Sequence, residues 1–202
     1  MNKRIERLLV IITSEGGPPV VHSILSQLET DFPVPIVICQ GYQTGTVKAL
    51  CNVWNKTSQL TVKYAGDVNP LLPGSVCVLP HNCKAKIDTS SSVPCMVKSR
   101  MGSGENEGDP VAKLLESAGE AYGSELKLAL AGGQKKGMDE FQDIVQVVSG
   151  SGGTVCSVME TGAIATGKLL RKGDDVSLVS SDEFVASLYA WIGRSRKTSQ
   201  TS

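Results

Sequence analysis

Short, β-branched apolar runs alternate along this chain with segments whose apolar residues recur at helical spacing, and few folds tolerate that alternation. Leu8–Thr13 is a continuous apolar run, the pattern of a strand buried on both faces of a parallel sheet. Pro18-Pro19 then opens a helix that carries Val20, Val21, Ile24, Leu25 and Leu28 on one face. Pro35–Gln40 reads as a second strand, Val47, Leu50, Cys51 and Trp54 mark a second helix, and Leu60–Tyr64 a third strand. Further on come a helix at Pro110–Tyr122, a strand at Glu125–Ala131, a helix at Gly137–Val148 and strands at Thr154–Val158 and Val176–Val179. Asp182–Ile192 closes the pattern as a helix with Phe184, Val185, Leu188 and Trp191 on one side. Strands exchanged with helices in this way predict an α/β fold: a doubly wound, mostly parallel sheet flanked by helices.

The middle of the chain breaks the rhythm. Pro73-Gly74 turns into Ser75–Leu79, and Pro80-His81-Asn82 turns again before Lys84–Ile87, which predicts an inserted β-hairpin. Asp88–Asp109, rich in Ser, Gly and Pro, reads as a long loop with one apolar patch at Cys95–Val97. Residues 1–193 are expected to form one domain and the polar residues 194–202 a disordered tail.

Charge narrows the function. Lysine plus arginine and aspartate plus glutamate each number 20, so the chain lacks the basic excess of a nucleic-acid binder. No run reaches the length needed to span a bilayer, and Leu8–Ile12 is too short for a signal peptide, so membrane insertion is not expected and a cytoplasmic location is. The six cysteines include no C-x-x-C pair, and Cys77, His81 and Cys83 lack a second pair to complete a metal site. Cys39, Cys77 and Cys156 fall in strand-like apolar runs and are expected to be buried, reduced thiols. No metal or cofactor is expected.

Chemistry concentrates at Thr13-Ser14-Glu15-Gly16-Gly17-Pro18, the predicted turn from the first strand into the first helix. A serine there serves as a nucleophile if a base takes its proton, or as a helix cap if none does. The exposed N–H groups of such a turn also invite an anion, although the spacing of a phosphate-binding loop is absent. His22, among polar neighbours at helical spacing, is expected on a solvated face. His81 in its turn is either a backbone-bonded turn residue or a base able to reach Ser14.

Four segments, in this order and spacing, resemble the catalytic domain of the chemotaxis protein-glutamate methylesterases, the CheB family. They are Ser14-Glu15-Gly16-Gly17, Pro35–Gly41 with Gln40 at its end, Leu72-Pro73-Gly74 leading into Ser75–Pro80, and Leu130–Gly137 with its glycines Gly132 and Gly133. The resemblance implies that fold, with Ser14 at the position of the nucleophile of a serine–histidine–aspartate triad. Glu15, Gly16, Gly17, Gln40, Gly132, Gly133, Lys135 and Lys136 would then line the binding site. It also sets out what this chain lacks. The histidine position, directly after Gln40, is Gly41. The aspartate position is Lys135, and no acid occurs between Glu125 and Asp139. The receiver domain that precedes many relatives is not expected either. Glycine cannot accept a proton, and a lysine would set a cation where an imidazolium needs an anion. The expectation is therefore a catalytically inactive protein that binds a chemoreceptor or another chemosensory protein, with no nucleic-acid partner. The alternative is an active methylesterase in which Ser14 works with a substituted base such as His81.

Overall fold

The computed structural model describes residues 6–13, 15–98, 109–132, 138–159 and 176–195. A seven-stranded sheet holds the chain together, in the order β10-β9-β8-β1-β2-β5-β3 with every neighbouring pair parallel. Its strands are β1 (Leu8–Thr13), β2 (Ile36–Gln40), β3 (Thr61–Tyr64), β5 (Ser75–Pro80), β8 (Leu126–Ala131), β9 (Thr154–Met159) and β10 (Val176–Ser180). The helices are α1 (Gly17–Ser26), α2 (Thr44–Thr57), α3 (Pro110–Tyr122), α4 (Met138–Gly150) and α5 (Ser181–Trp191), with a 3-10 turn at Gly123–Glu125. A second, three-stranded sheet runs in the order β4-β7-β6, from β4 (Val68–Pro70), β6 (Ala85–Asp88) and β7 (Cys95–Lys98).

The two faces of the large sheet follow from strand alternation. On one face Leu9, Ile11, Ile36, Ile38, Val76, Val78, Ala129 and Ala131 pack against Val20, Val21, Ile24 and Leu25 of α1 and Val47 and Trp54 of α2, with Phe184, Val185, Leu188 and Tyr189 of α5. On the other, Leu8, Val10, Ile12, Cys39, Leu79, Leu128 and Leu130 meet Leu114, Leu115 and Ala118 of α3 and Val145 and Val148 of α4. All six residues of β1 and all five of β2 are buried, as the apolar runs Leu8–Ile12 and Ile36–Cys39 demand, with Thr13 and Gln40 carried inside at their ends.

The helix ends carry clear local signals. Asp109 caps α3, accepting from the Val111 N–H at 3.2 Å, with Pro110 in the first turn. Ser180 and Glu183 form a reciprocal capping box at α5. The two hydrogen bonds from Ser180 hold the Glu183 carboxyl below its ordinary pKa.

Two expectations change. Ser75–Leu79 and Lys84–Ile87 do not pair as a hairpin. Ser75–Pro80 joins the large sheet between β2 and β3, and the inserted hairpin is instead formed by β6 and β7, antiparallel, with β4 on its edge. The physical reason lies in burial: Val76–Pro80 is buried throughout, as a parallel strand must be, whereas Ala85–Asp88 alternates in and out. The stretch from Asp88 to Asp109 accordingly contains strand β7 rather than loop alone. Cys156 is only partly buried, because β9 has just the edge strand β10 beyond it; it accepts from the Ser177 hydroxyl at 3.3 Å. Cys39 and Cys77 are buried as anticipated, and His22 is exposed, its Nδ1 3.2 Å from the Thr57 hydroxyl. Arg194 pairs with Asp31 at 3.0 Å, while residues 196–202 of the expected tail lie outside the described residues.

Candidate active site at the carboxyl edge of the sheet

Topology alone picks out one crevice. The chain leaves β1 through α1 toward β2 on one side, and leaves β8 through α4 toward β9 on the other. Parallel sheets bind ligands at such a switch point, outside the carboxyl ends of the strands. The turns that meet there are Glu15-Gly16-Gly17 after β1 and Gly132 after β8.

Those turns touch because they are glycine. Gly16 takes a left-handed conformation at φ 75° and Gly132 at φ 86°. A Cβ on Gly132 would run into the Gly17 backbone and lie 2.8 Å from the Glu15 carbonyl oxygen. A Cβ on Gly17 would strike the Thr13 hydroxyl and lie 2.6 Å from the Ala131 carbonyl oxygen. The two glycine turns therefore brace each other across the switch point.

Beside them the sheet ladder carries on past its regular ends. Thr13 stands opposite both Gln40 and Ala131, and Gln40 stands opposite Pro80. The Gly41 N–H donates to the Thr13 carbonyl at 2.7 Å, and the His81 N–H donates to the Gln40 carbonyl at 3.0 Å. Position 41 thus lies on the rim between the β1 and β5 ends, with backbone in place and no side chain. Glu15, Gly16, Gly17, Gln40, Gly41, His81 and Gly132 all share this rim. Ser14, Gly133, Lys135 and Lys136 lie outside the described residues.

Polarity at the rim is unusual. Gln40 is fully buried, Thr13 is 1% exposed, and among the described residues neither the Gln40 amide nor the Thr13 hydroxyl has a hydrogen-bond partner. The buried Nδ1 of His81 also lacks one among the described residues. Buried polar groups in folded proteins are almost always bonded, so these three, beside Gln27, Tyr122 and Ser157 elsewhere in the fold, are exceptions among the described residues. On the other face Asp109 and Cys39 belong to the same edge. Burial first, then the charges of Cys77, Asp109 and Cys83, push the Cys39 thiol far up, and burial raises Cys77 to about 12. Neither is a thiolate nucleophile at neutral pH.

The anion-cradle reading is poorly served. Pro18 and Pro19 remove two of the first N–H groups of α1, and no side chain caps the Gly16 end. Among the described residues no group of three or more His, Cys, Asp or Glu is arranged to hold a metal ion, and no helix is long and apolar enough to cross a membrane. Sequence reasoning missed Thr13, whose signal was a single hydroxyl ending an otherwise apolar strand. It also gave Asp109 no place at the rim.

Residues 9–167 match the family model described as CheB methylesterase. The chain is similar to protein-glutamate methylesterase/protein-glutamine glutaminase 1 of Carboxydothermus hydrogenoformans, 42% identical over 88 residues that cover 44% of this chain and 26% of the relative. It is also similar to protein-glutamate methylesterase/protein-glutamine glutaminase 4 of Geobacter metallireducens, 29% identical over 90% of this chain and 52% of the relative. The chain thus spans about half or less of the length of these curated relatives. Its fold superposes on the crystal structure of the Thermotoga maritima CheB methylesterase catalytic domain with a TM-score of 0.75 and 26% identity, covering 91% of this chain and 97% of that one.

Proposed function

The chain belongs to the CheB methylesterase family, and from that premise we propose that it is a catalytically inactive member that works by binding a chemoreceptor or another chemosensory protein. One observation carries the reading. The rim position that resembles the family's histidine is Gly41, whose N–H still holds the ladder to Thr13 although no side chain remains. Without a base a serine hydroxyl is a weak nucleophile, and loss of the base in other triad hydrolases costs orders of magnitude in rate. Lys135 at the aspartate position, carried over from the sequence resemblance, points the same way. What supports binding at the rim is its braced pair of glycine turns, Gly16-Gly17 and Gly132.

The test is methanol release from methylated chemoreceptor, comparing the wild type with Ser14→Ala and with the Thermotoga maritima catalytic domain. The expected result is release no greater than from Ser14→Ala, together with retention of the receptor in a pull-down. Release that disappears in Ser14→Ala would overturn inactivity.

The second reading, an active methylesterase with a substituted base, is favoured by His81. Its Nδ1 is buried without a partner among the described residues, and its backbone lies two strands from β1, about 10 Å at the usual strand spacing. That reading predicts hydrolysis lost in both Ser14→Ala and His81→Ala.

A further inference from the structure

The two sheets have four edge strands, β10 and β3 on the large sheet and β4 and β6 on the small one. Three of these edges are blocked by local sequence. On β3 the outward Val62 N–H donates to the Asn55 side chain of α2 at 2.8 Å, and the next residue is the exposed Lys63. On β6 the Ile87 N–H donates to the Ser117 hydroxyl of α3 at 2.9 Å. On β4 stands Pro70, which has no N–H to offer. Proteins close their edges in these ways because an open ladder pairs with any strand that reaches it.

Strand β10 has none of these devices. Its sequence, Val176-Ser177-Leu178-Val179-Ser180, holds no charge and no proline, and β9 pairs with one side of it only. Among the described residues no hydrogen bond reaches the outer side of residues 176–179. Leu178, at the middle of the strand, is 54% exposed, although leucine is among the residues most often buried. Directly after the strand come Asp182 and Glu183, both exposed, and among the described residues neither forms an ion pair. The edge is therefore an open ladder with an apolar centre and an acidic end.

We propose that the outer edge of β10 is a pairing site for an extended segment of a partner protein, apolar in its core and preceded by lysine or arginine. In this mode main-chain hydrogen bonds supply affinity and alternate side chains supply choice. A residue directly opposite Leu178 would cover it, with Cβ atoms about 5 Å apart. An antiparallel arrival sets the residues ahead of the incoming strand beside Asp182 and Glu183, where a cation meets two uncompensated carboxylates. A second copy of this chain is the poorer occupant. The sequence ahead of Val176 is Asp174-Asp175, so an antiparallel copy brings acid to acid, and a parallel copy brings its own Asp182 and Glu183. Strand β9 separates this edge from the crevice between β1 and β8, so the assignment holds whether or not the crevice binds a chemosensory protein.

The probe is a fluorescent peptide with lysines ahead of a short alternation of valine and threonine, beside a copy with glutamates in place of the lysines. The wild type is expected to bind the lysine peptide about tenfold more tightly than the glutamate one, with the difference shrinking as salt rises. Leu178→Lys is expected to weaken binding of the lysine peptide about tenfold or more, because it removes the apolar contact and sets a cation on the edge. Leu178 is exposed, so the change leaves the core intact, and an unchanged thermal melt confirms it. Leu178→Thr keeps strand propensity and is expected to fall between the two. Hydrogen exchange reads the ladder itself: amides of residues 176–179 are expected to slow when the peptide is added, while those of α2 keep their rates. Equal affinity of wild type and Leu178→Lys overturns the proposal, as does equal binding of the two peptides or unchanged exchange in β10. Absence of peptide binding, with a concentration-dependent dimer that Leu178→Lys abolishes, gives the edge to a second copy and overturns it too.

Discussion

Gln40 carries the sharpest conflict between stability and use. Its amide is buried at the end of a central strand with donor and acceptor both unbonded among the described residues, on the face shared by Ile38 and Val78. An unsatisfied buried polar group costs about 1–3 kcal/mol, whereas an apolar group of similar size at the same place costs nothing of the kind. Gln40→Leu is accordingly expected to raise unfolding stability in urea by about 1 kcal/mol while weakening retention of the partner. A lower stability would mean that the amide is satisfied in solution, most simply by a trapped water. Gln40 was legible in the sequence as a polar residue closing an apolar run. The state of its amide was not, because hydrogen-bond satisfaction depends on Thr13, which neighbours it across the sheet and not along the chain.

At the level of elements, the glycine turns after β1 and β8 act as one joint. Gly132→Ala adds a Cβ against the Gly17 backbone at a positive φ, so it is expected to destabilise the fold by about 3 kcal/mol. Gly45→Ala on α2, where a Cβ meets nothing within 4 Å, is the control and should be neutral or slightly stabilising in the same denaturation series. A small effect at Gly132 would show that the two turns yield. Most elements could be read from period and length, since β1, β2 and their helices are dictated by unbroken apolar runs and one-sided faces. Ser75–Pro80 was misassigned to a hairpin because its neighbours in sequence are turns. Its partners, β2 and β3, are joined to it by register instead.

For the molecule as a whole, the buried thiols set an alkaline limit. Burial raises Cys77 from an ordinary 9.0 to about 12 and Cys51 to about 11, and pushes Cys39 further up. Between about pH 9 and pH 12 the unfolded chain releases thiol protons that the folded chain retains, so the unfolded state binds fewer protons and stability falls as pH rises. The thiols' contribution is intact below the ordinary value and is lost progressively through that window. Urea midpoints at about pH 8 and about pH 10.5 should show the fall, and Cys77→Ala should make it shallower. An unchanged slope in Cys77→Ala would mean that this thiol ionises as freely folded as unfolded.

The strand order also has a consequence for how the protein is made. One of the two neighbours of β1, β8, lies more than a hundred residues later in the chain. The half formed by β1, β2, β3 and β5 can assemble first, as domains built during synthesis tend to do. Until Gly132 has been translated, nothing braces the turn at Gly17. The crevice at the switch point is thus completed only once β8 is made, and a nascent chain carries four strands of its sheet before it carries a site.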